Sequence, residues 1–325
     1  MSEVSVPGTG VRPRVAVVVV TYNSADVLES CLASVRHAGA AEVVLTEVVV
    51  VDNDSRDETL ALADGIADLP VRVVRLGANL GYAAGINAGV AALSAPHPDA
   101  VLVLNPDCRL LPGALETLAR GLVRPGVGVV APRLVNLDGS LQPTLRRRPS
   151  LTGAVVESLL GGHLADRLGV GEMVFREAPH RRAARASWVT GAALLVSWRL
   201  VEAAGPWDEA FLLYSEETEY LLRAADLGWT TWYEPHAVIE HRGGDYDVRP
   251  DMAALLSVNK VTLFQRRHGV VRGLAYRLAL VAGLSIRSLA GVATARPACA
   301  ALLLPSRRVT SLPQAPRLSA KLSKP

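Results

Sequence analysis

Four short runs dominated by apolar, largely β-branched residues occupy positions 15–20, 47–51, 71–76 and 101–104. A strand with one wet face alternates apolar and polar residues, whereas a continuous apolar run reads as a strand covered on both faces. Helical patterns lie between the runs. Asn23 or Ser24 offers an N-cap, and Val27, Leu28, Cys31, Leu32 and Val35 then share one helical face. "DNDSRDETLALADGIADL" reads as a turn and a helix, residues 83–93 as a helix of small residues, and 111–122 as a further helix. This alternation predicts an α/β fold with a mostly parallel central sheet and helices on both faces.

Such sheets bind ligands outside the carboxyl ends of their strands. Those ends carry "TYNS", "DNDS", "GANLGY" and "NPD" in turn. One acid past a strand is ordinary turn chemistry, but four polar clusters at four successive strand ends point to a binding rim. Neither G-x-G-x-x-G after the first strand nor G-x-x-x-x-G-K-[ST] is present, which argues against dinucleotide and P-loop readings. The remaining residue set suits a sugar nucleotide.

The chain has 325 residues, half of them hydrophobic, enough for one large α/β domain and an appendage or for two modest domains. A net charge of +3 gives no case for a nucleic-acid partner. Cys31, Cys108 and Cys299 are scattered, without zinc spacing, and suit a reducing cytosol. The N-terminal stretch lacks the apolar core of a signal peptide, and "VAVVVV" is too short to span a bilayer.

Residues 133–186 are basic and turn-rich, helical in part. "WVTGAALLVSWRL" reads as a strand or strand pair, and a helix runs from about Ser215 or Glu216 to Gly228. "TTWYEPHAVIEH" is another strand. The expected organisation is a disordered 1–13 and a catalytic-type domain over 14–250, divided at 132/133. A helical region over 251–304 and a disordered basic tail over 305–325 follow. Residues 255–304 are rich in Leu, Ala, Val and Arg, and arginines break every apolar run before it reaches the ~20 residues of a membrane span. Two readings stand for this region: a helical pair lying in a membrane interface, or helices packed on the core. The tail has five basic residues and no acids, a composition attracted to anionic lipid.

"VVVVTYNSADVLESCLASV", "EVVVVDNDSRDET", "GANLGYAAGINAGV", "VLVLNPD", "WVTGAALLV" and "FLLYSEETEYLLRAADLGW", in this order, resemble the family-2 inverting glycosyltransferases, and within them the rhamnosyltransferase-like branch. The resemblance spans about residues 15–244 and implies a single GT-A (nucleotide-diphospho-sugar transferase) domain with variable C-terminal helices. It implies that Thr21, Tyr22 and Asn23 contact base and ribose, that Asp52 reads the pyrimidine, and that Asn53, Ser55, Asn79, Gly81 and Asn87 complete the nucleotide site. Asp57 suits either that site or a helix cap. "NPD" is similar to the family's metal motif, with Asn105 in place of the first acid. Asp107 is then the ligand of Mg²⁺ or Mn²⁺, the plain alternative being turn or helix-cap chemistry. His241 matches a histidine near the diphosphate and is a second candidate ligand.

Glu217 takes the position of the general base, where the family usually has Asp, with Glu216 before it. Glu219 also stands where Asp is common, but it is spaced for an i,i+4 pair with Arg223. Trp188, Thr190, Gly191 and Glu216 fall on the acceptor side. The implied activity is metal-dependent transfer of a sugar, L-rhamnose from dTDP-rhamnose or a sugar from a UDP donor. The acceptor is a cell-envelope glycan or a polyprenyl-diphosphate-linked sugar at the cytoplasmic membrane face. The departures from Asp at 105, 217 and 219 motivate an alternative, a non-catalytic sugar-nucleotide-binding subunit. A nucleotidyltransferase would need a Gly-rich basic loop after the first strand, which "TYNSADV" lacks.

Overall fold

The β-branched runs form strands where the sequence places them, and the structure, a computed structural model, describes residues 12–38, 42–243 and 249–312. The strands are β1 (Arg14–Thr21), β2 (Val44–Asp52), β3 (Val71–Arg75), β4 (Ala100–Leu104), β5 (Cys108–Leu110), β6 (Val127–Val135), β7 (Leu145–Arg146), β8 (Ala184–Ala186), β9 (Trp188–Val189), β10 (Ala193–Ser197) and β11 (Thr230–His241). The helices of the α/β part are α1 (Leu28–Ala38), α2 (Thr59–Asp64), α3 (Tyr82–Ala91), α4 (Ala114–Leu122), α5 (Leu151–Leu160), α6 (Gly162–Arg167), α7 (Glu177–His180), α8 (Trp198–Ala204) and α9 (Glu216–Asp226). The C-terminal helices are α10 (Pro250–His268), α11 (Val270–Leu289) and α12 (Ala295–Leu303).

The central sheet runs β3-β2-β1-β4-β10-β6-β11-β5, with β8 added to β11. Strands β1 to β4, β6 and β11 share one direction, while β10 is antiparallel to both neighbours and β5 and β8 are antiparallel to β11. The sheet is therefore mostly parallel and mixed. Alternate residues of β1 enter two different cores. Val15, Val17 and Val19 meet Leu28, Leu32, Leu115 and Leu118 of α1 and α4. Ala16, Val18 and Val20 meet Ala83, Ile86, Leu200 and Tyr220 of α3, α8 and α9. Gly85 and Gly89 let α3 lie close on the sheet, because a Cβ at either position would stand 2.4 Å from a valine methyl of β1.

Two local differences from the sequence reading have clear causes. The segment after "NPD" first makes β5, pairing with the end of β11, before α4 begins with Gly113 as its N-cap. Asp107 is thus not the cap of that helix. "WVTGAALLVSWRL" divides into β9, which pairs with β7 outside the main sheet, and β10, inserted antiparallel between β4 and β6. Thr190, Gly191 and Ala192 form the connection.

The C-terminal region is three helices, and it packs on the α/β part. Ala154, Val261, Phe264, Tyr276 and Leu302 share a core. Ordered chain continues past 304: a 3-10 turn spans Pro305–Arg307, and Leu312 is buried with Met252 and Leu255. Those contacts give this part of the expected tail a fixed place. Residues 1–11 and 313–325, where disorder is expected from composition, lie outside the described residues.

Candidate active site

Asp107 stands in the turn between β4 and β5, and His241 ends β11 beside it. His241 Nε2 lies 3.4 Å from Asp107 Oδ1 and 3.4 Å from the Asn105 side-chain nitrogen. Asp107 Oδ2 accepts the Gly243 backbone N–H at 2.9 Å. Gly243 cannot carry a side chain here, since its Cβ would meet Asp107 Oδ2 at 2.4 Å. Burial disfavours the Asp107 carboxylate, but the hydrogen bond and charge of His241 and the Gly243 amide outweigh it and hold the carboxyl below its ordinary range.

The histidine tautomer follows from Gln142. Its amide nitrogen donates to Gly243 O at 2.7 Å and to His241 O at 3.3 Å, so its oxygen faces the ring, 2.6 Å from His241 Nδ1. Nδ1 therefore carries a proton whether the ring is charged or neutral, and in the neutral ring Nε2 presents a lone pair. A lone pair and a carboxylate oxygen face each other across 3.4 Å. That arrangement calls for a cation or a second proton between them. Cis ligands of an octahedral ion with 2.0–2.1 Å bonds stand about 3 Å apart, so the pair fits Mg²⁺ or Mn²⁺, with Gln142 orienting the imidazole as outer partners of metal-binding histidines do. Cys108 Sγ belongs to the same cluster of ligand-type atoms. Its thiol is pushed well up by burial and by the Asp107 charge, and its sulfur is directed at Ala192 O. It therefore contributes as packing, and a hard cation prefers the oxygen donors.

The second part is a cavity of about 320 Å³ lined by Arg146, Trp188, Thr190, Glu217, Lys260 and Tyr276, among others. Trp188 donates its indole N–H to Arg147 O at 2.9 Å, and the Arg146 guanidinium stands 5.7 Å from its ring centre. Glu217 lies in the first turn of α9. Tyr214 and Ser215 before it have φ of 68° and 74°, left-handed values uncommon for residues with side chains. Asn259 of α10 holds that bend, donating to Leu213 O and Tyr214 O, each at 2.9 Å. Burial pushes the carboxyls of both Glu216 and Glu217 up, and the Glu217 charge adds to the effect on Glu216. Glu216 is 3% exposed and does not line the cavity. One oxygen of each glutamate and the Thr190 hydroxyl are buried without a hydrogen-bond partner among the described residues. Glu219 is paired with Arg223, Oε1 to Nε at 3.0 Å, and plays a structural part.

The third part is a cavity of about 360 Å³ at the ends of β1 and β2, lined by Thr21, Tyr22, Asn53, Asn79, Gly81 and Tyr82. Leu213, Arg249, Met252 and Leu312 cover it. Asn53 clips the loop before α3, donating to Gly81 O and accepting from Leu80 N, both at 3.2 Å. Gly81 has φ of 98°, and a Cβ there would strike Leu212 O at 2.2 Å.

The other nucleotide candidates stand behind this lining. Asp52 is 1% exposed, and its oxygens accept from Ser55 N at 2.9 Å and Thr21 Oγ1 at 3.2 Å. Ser55 Oγ accepts Asn23 N, and the Asn23 side chain accepts Arg56 N. Asp57 joins the same lattice, accepting Ala25 N and Thr59 N. Asn87 is placed elsewhere. It exchanges two hydrogen bonds with the Trp207 backbone and lines a different cavity, because it lies nearly two turns into α3, beyond the rim.

A short connection brings the three parts together. Ala192 O accepts from Asn105 N at 2.8 Å and from the Cys108 thiol, beside the Asp107 cluster. Gly191 lies against Glu217, whose Cβ would be 3.1 Å from any Cβ added there. Gly191 O accepts the Tyr82 hydroxyl at 3.2 Å, and Tyr82 lines the cavity at the ends of β1 and β2. The Tyr82 hydroxyl is pushed well up by burial and then by charges that include Glu216, Glu217 and Asp107. Tyr82, Gln142, Gly243 and Asn259 were not singled out from sequence. Tyr82 and Gly243 sit inside recognisable motifs, whereas Gln142 and Asn259 carry no local signal.

Comparison with known proteins agrees with this geometry. The sequence pattern described as glycosyl transferase family 2 matches residues 16–181. The chain is 30% identical over 257 residues to the N-acetylglucosaminyl-diphospho-decaprenol L-rhamnosyltransferase of Mycobacterium tuberculosis, covering 76% of this chain and 81% of that protein. It is 37% identical over 154 residues to the succinoglycan biosynthesis protein ExoO of Rhizobium meliloti, covering 45% of this chain and 42% of the relative. Among solved structures, a mannosyltransferase from Pyrobaculum calidifontis in complex with GDP-Man and Mn²⁺ aligns with a TM-score of 0.56 at 19% identity, covering 91% of this chain and 80% of that one. S. aureus TarS 1–349 in complex with UDP aligns with a TM-score of 0.51 at 15% identity, covering 83% and 80%. These structures share the GT-A architecture. With a rim of strand ends, a cation-ready Asp–His pair and a buried carboxylate meeting at one connection, the chain belongs to glycosyl transferase family 2.

Proposed function

We propose that this glycosyltransferase is metal-dependent and inverting, and that it moves L-rhamnose from dTDP-rhamnose, or a sugar from a UDP donor, onto a polyprenyl-diphosphate-linked acceptor sugar at the cytoplasmic face of the membrane. The observation that carries the reading is the convergence on residues 191–192 of Glu217, Tyr82 and, through Asn105 and Cys108, the turn that carries Asp107. Thr21, Tyr22, Asn53, Asn79 and Gly81 hold the nucleotide, with Asp52, Asn23 and Ser55 fixing their loops. Asp107 and His241, with Asn105 beside them, hold a Mg²⁺ or Mn²⁺ ion, which when bound neutralises charge on the departing nucleoside diphosphate.

Glu217 takes the proton of the acceptor hydroxyl as that oxygen bonds to the anomeric carbon. The bond from that carbon to the diphosphate oxygen breaks on the opposite face, so configuration inverts. A carboxylate raised by burial is the stronger base once ionised. Trp188, Thr190 and Gly191 line the acceptor side, and Glu216 supports the turn that presents Glu217. The M. tuberculosis relative, whose name specifies an N-acetylglucosaminyl-diphospho-decaprenol acceptor and L-rhamnose, supports this donor and acceptor class.

The test is transfer to an N-acetylglucosaminyl-diphospho-polyprenol from a panel of dTDP- and UDP-sugars with Mg²⁺ or Mn²⁺. Rhamnosylated lipid is the expected product. Donor binding without turnover on any acceptor would instead identify a non-catalytic sugar-nucleotide-binding subunit.

A further inference from the structure

Helix α11 is apolar on both its buried and its exposed face. Its inner face buries Gly273, Tyr276 and Gly283, packing on α10 and α5: Cβ atoms added at Gly273 and Gly283 would strike Gln265 and Ser158. Its outer face is also apolar. Val271, Leu274, Leu278, Ala282, Ile286 and Leu289 recur at three- and four-residue spacing along the whole helix, and all six are exposed. Val271 is 83% exposed and Leu289 91%. Isolated exposed leucines are ordinary, but an unbroken stripe down a 20-residue helix is not. α5, which lies along α11, adds exposed Val155, Leu159 and Leu160.

The chain segment that carries the stripe has charge of one sign. After Asp251 the sequence contains no Asp or Glu and twelve Lys and Arg. Lys260, Arg266 and Arg267 are neutralised by Glu172, Asp208 and Asp226 of the α/β part. Arg272, Arg296, Arg307 and Arg308 are exposed and form no ion pair among the described residues. No described helix is long and apolar enough to cross a membrane. An exposed apolar stripe in a segment whose unneutralised charges are arginines is the pattern of a helix lying in a bilayer interface.

We propose that the outer face of α11 is a docking surface for an anionic lipid bilayer, lying in the interface with Leu274 and Leu278 inserted and Arg272, Arg296, Arg307 and Arg308 against the headgroups. Tyr276, on the inner face of the same helix, lines the cavity that holds Glu217. The acceptor cavity then sits about one helix diameter, ~10 Å, behind the bilayer-facing surface. A lipid-linked sugar can enter it while its chain stays in the membrane. The inference rests on the lipid-linked acceptor reading for its purpose and on the exposed stripe for its physics.

The test is flotation of the full chain with phosphatidylcholine vesicles, with and without phosphatidylglycerol, for wild type, L274D/L278D and R272E/R308E. Wild type is expected to bind the phosphatidylglycerol vesicles, less so as salt rises, with each double variant binding about tenfold more weakly or worse. Unchanged folding of the variants is checked by circular dichroism, and unchanged transfer to a water-soluble acceptor by rate. Absence of wild-type binding overturns the proposal, as does binding indifferent to L274D/L278D. A dimer that L274D/L278D dissociates without altering vesicle binding also overturns it and assigns the stripe to a second copy. Vesicle binding can persist where rhamnosyl transfer fails, and the reverse, so the two readings fail separately.

Discussion

Glu216 and Glu217 are adjacent in sequence and differ in what they face. Glu217 lines the cavity of about 320 Å³, while Glu216 is turned into the protein, and each has one buried oxygen unpartnered among the described residues. Both carboxyls are raised by burial, so each binds its proton more tightly in the folded chain than in the unfolded one. For Glu216 the consequence is stability that is fully present below the unfolded glutamate pKa of about 4.3 and is lost as pH rises through the folded value. Glu216→Gln is therefore expected to gain thermal stability relative to wild type as pH rises from about 5 to about 8, measured by calorimetry; a difference that does not change with pH contradicts this. For Glu217 the consequence is kinetic. The acid limb of kcat/KM is expected above the ordinary glutamate range, and Glu217→Gln is expected to lower kcat by about 10²–10⁴-fold. A profile flat from pH 5 upward, or a Gln variant at wild-type rate, removes Glu217 from the base role. Motif resemblance was enough to place Glu217 in sequence. Its separation from Glu216 was not legible, because helix periodicity sets the angle between neighbours but not which side is open.

At the scale of elements, the strands and rim of the first half were readable because buried parallel strands leave an unmistakable apolar run. The second half was less so. β7 and β9 have two residues each, and β10 owes its antiparallel place to a partner distant in sequence, so local pattern carries little of it. Asn259 shows the same limit. It lies mid-helix in α10, yet its side-chain amide carries two backbone carbonyls of the left-handed bend before α9. Asn259→Ala leaves those carbonyls without their donor and is expected to cost about 1–3 kcal/mol, with kcat falling more than KM changes, because the bend positions Glu217. Equal stability and kinetics in the variant indicate that α9 alone fixes the bend.

At the scale of the molecule, the C-terminal helices α10 and α11 wall the two cavities of the candidate site. α10 supplies Lys260 to the cavity that holds Glu217 and Asn259 to the bend before α9, Met252 covers the cavity at the ends of β1 and β2, and Tyr276 of α11 lines the Glu217 cavity. Composition marked this region as basic and apolar, but only packing shows that α10 and the inner face of α11 belong to the core while the outer face of α11 does not. The candidate metal site is likewise assembled from distant parts of the chain. "NPD" and "EHRGG" are more than 130 residues apart, and Gln142, which sets the His241 tautomer, comes from a third segment. The most direct measurement is the rate of nucleoside diphosphate release from the preferred donor with acceptor and Mn²⁺, for wild type and Asp107→Ala, at matched thermal stability. The account predicts a loss of about 10²–10³-fold in kcat, as for removal of a main charge-stabilising group; an Asp107→Ala variant turning over at the wild-type rate would contradict it.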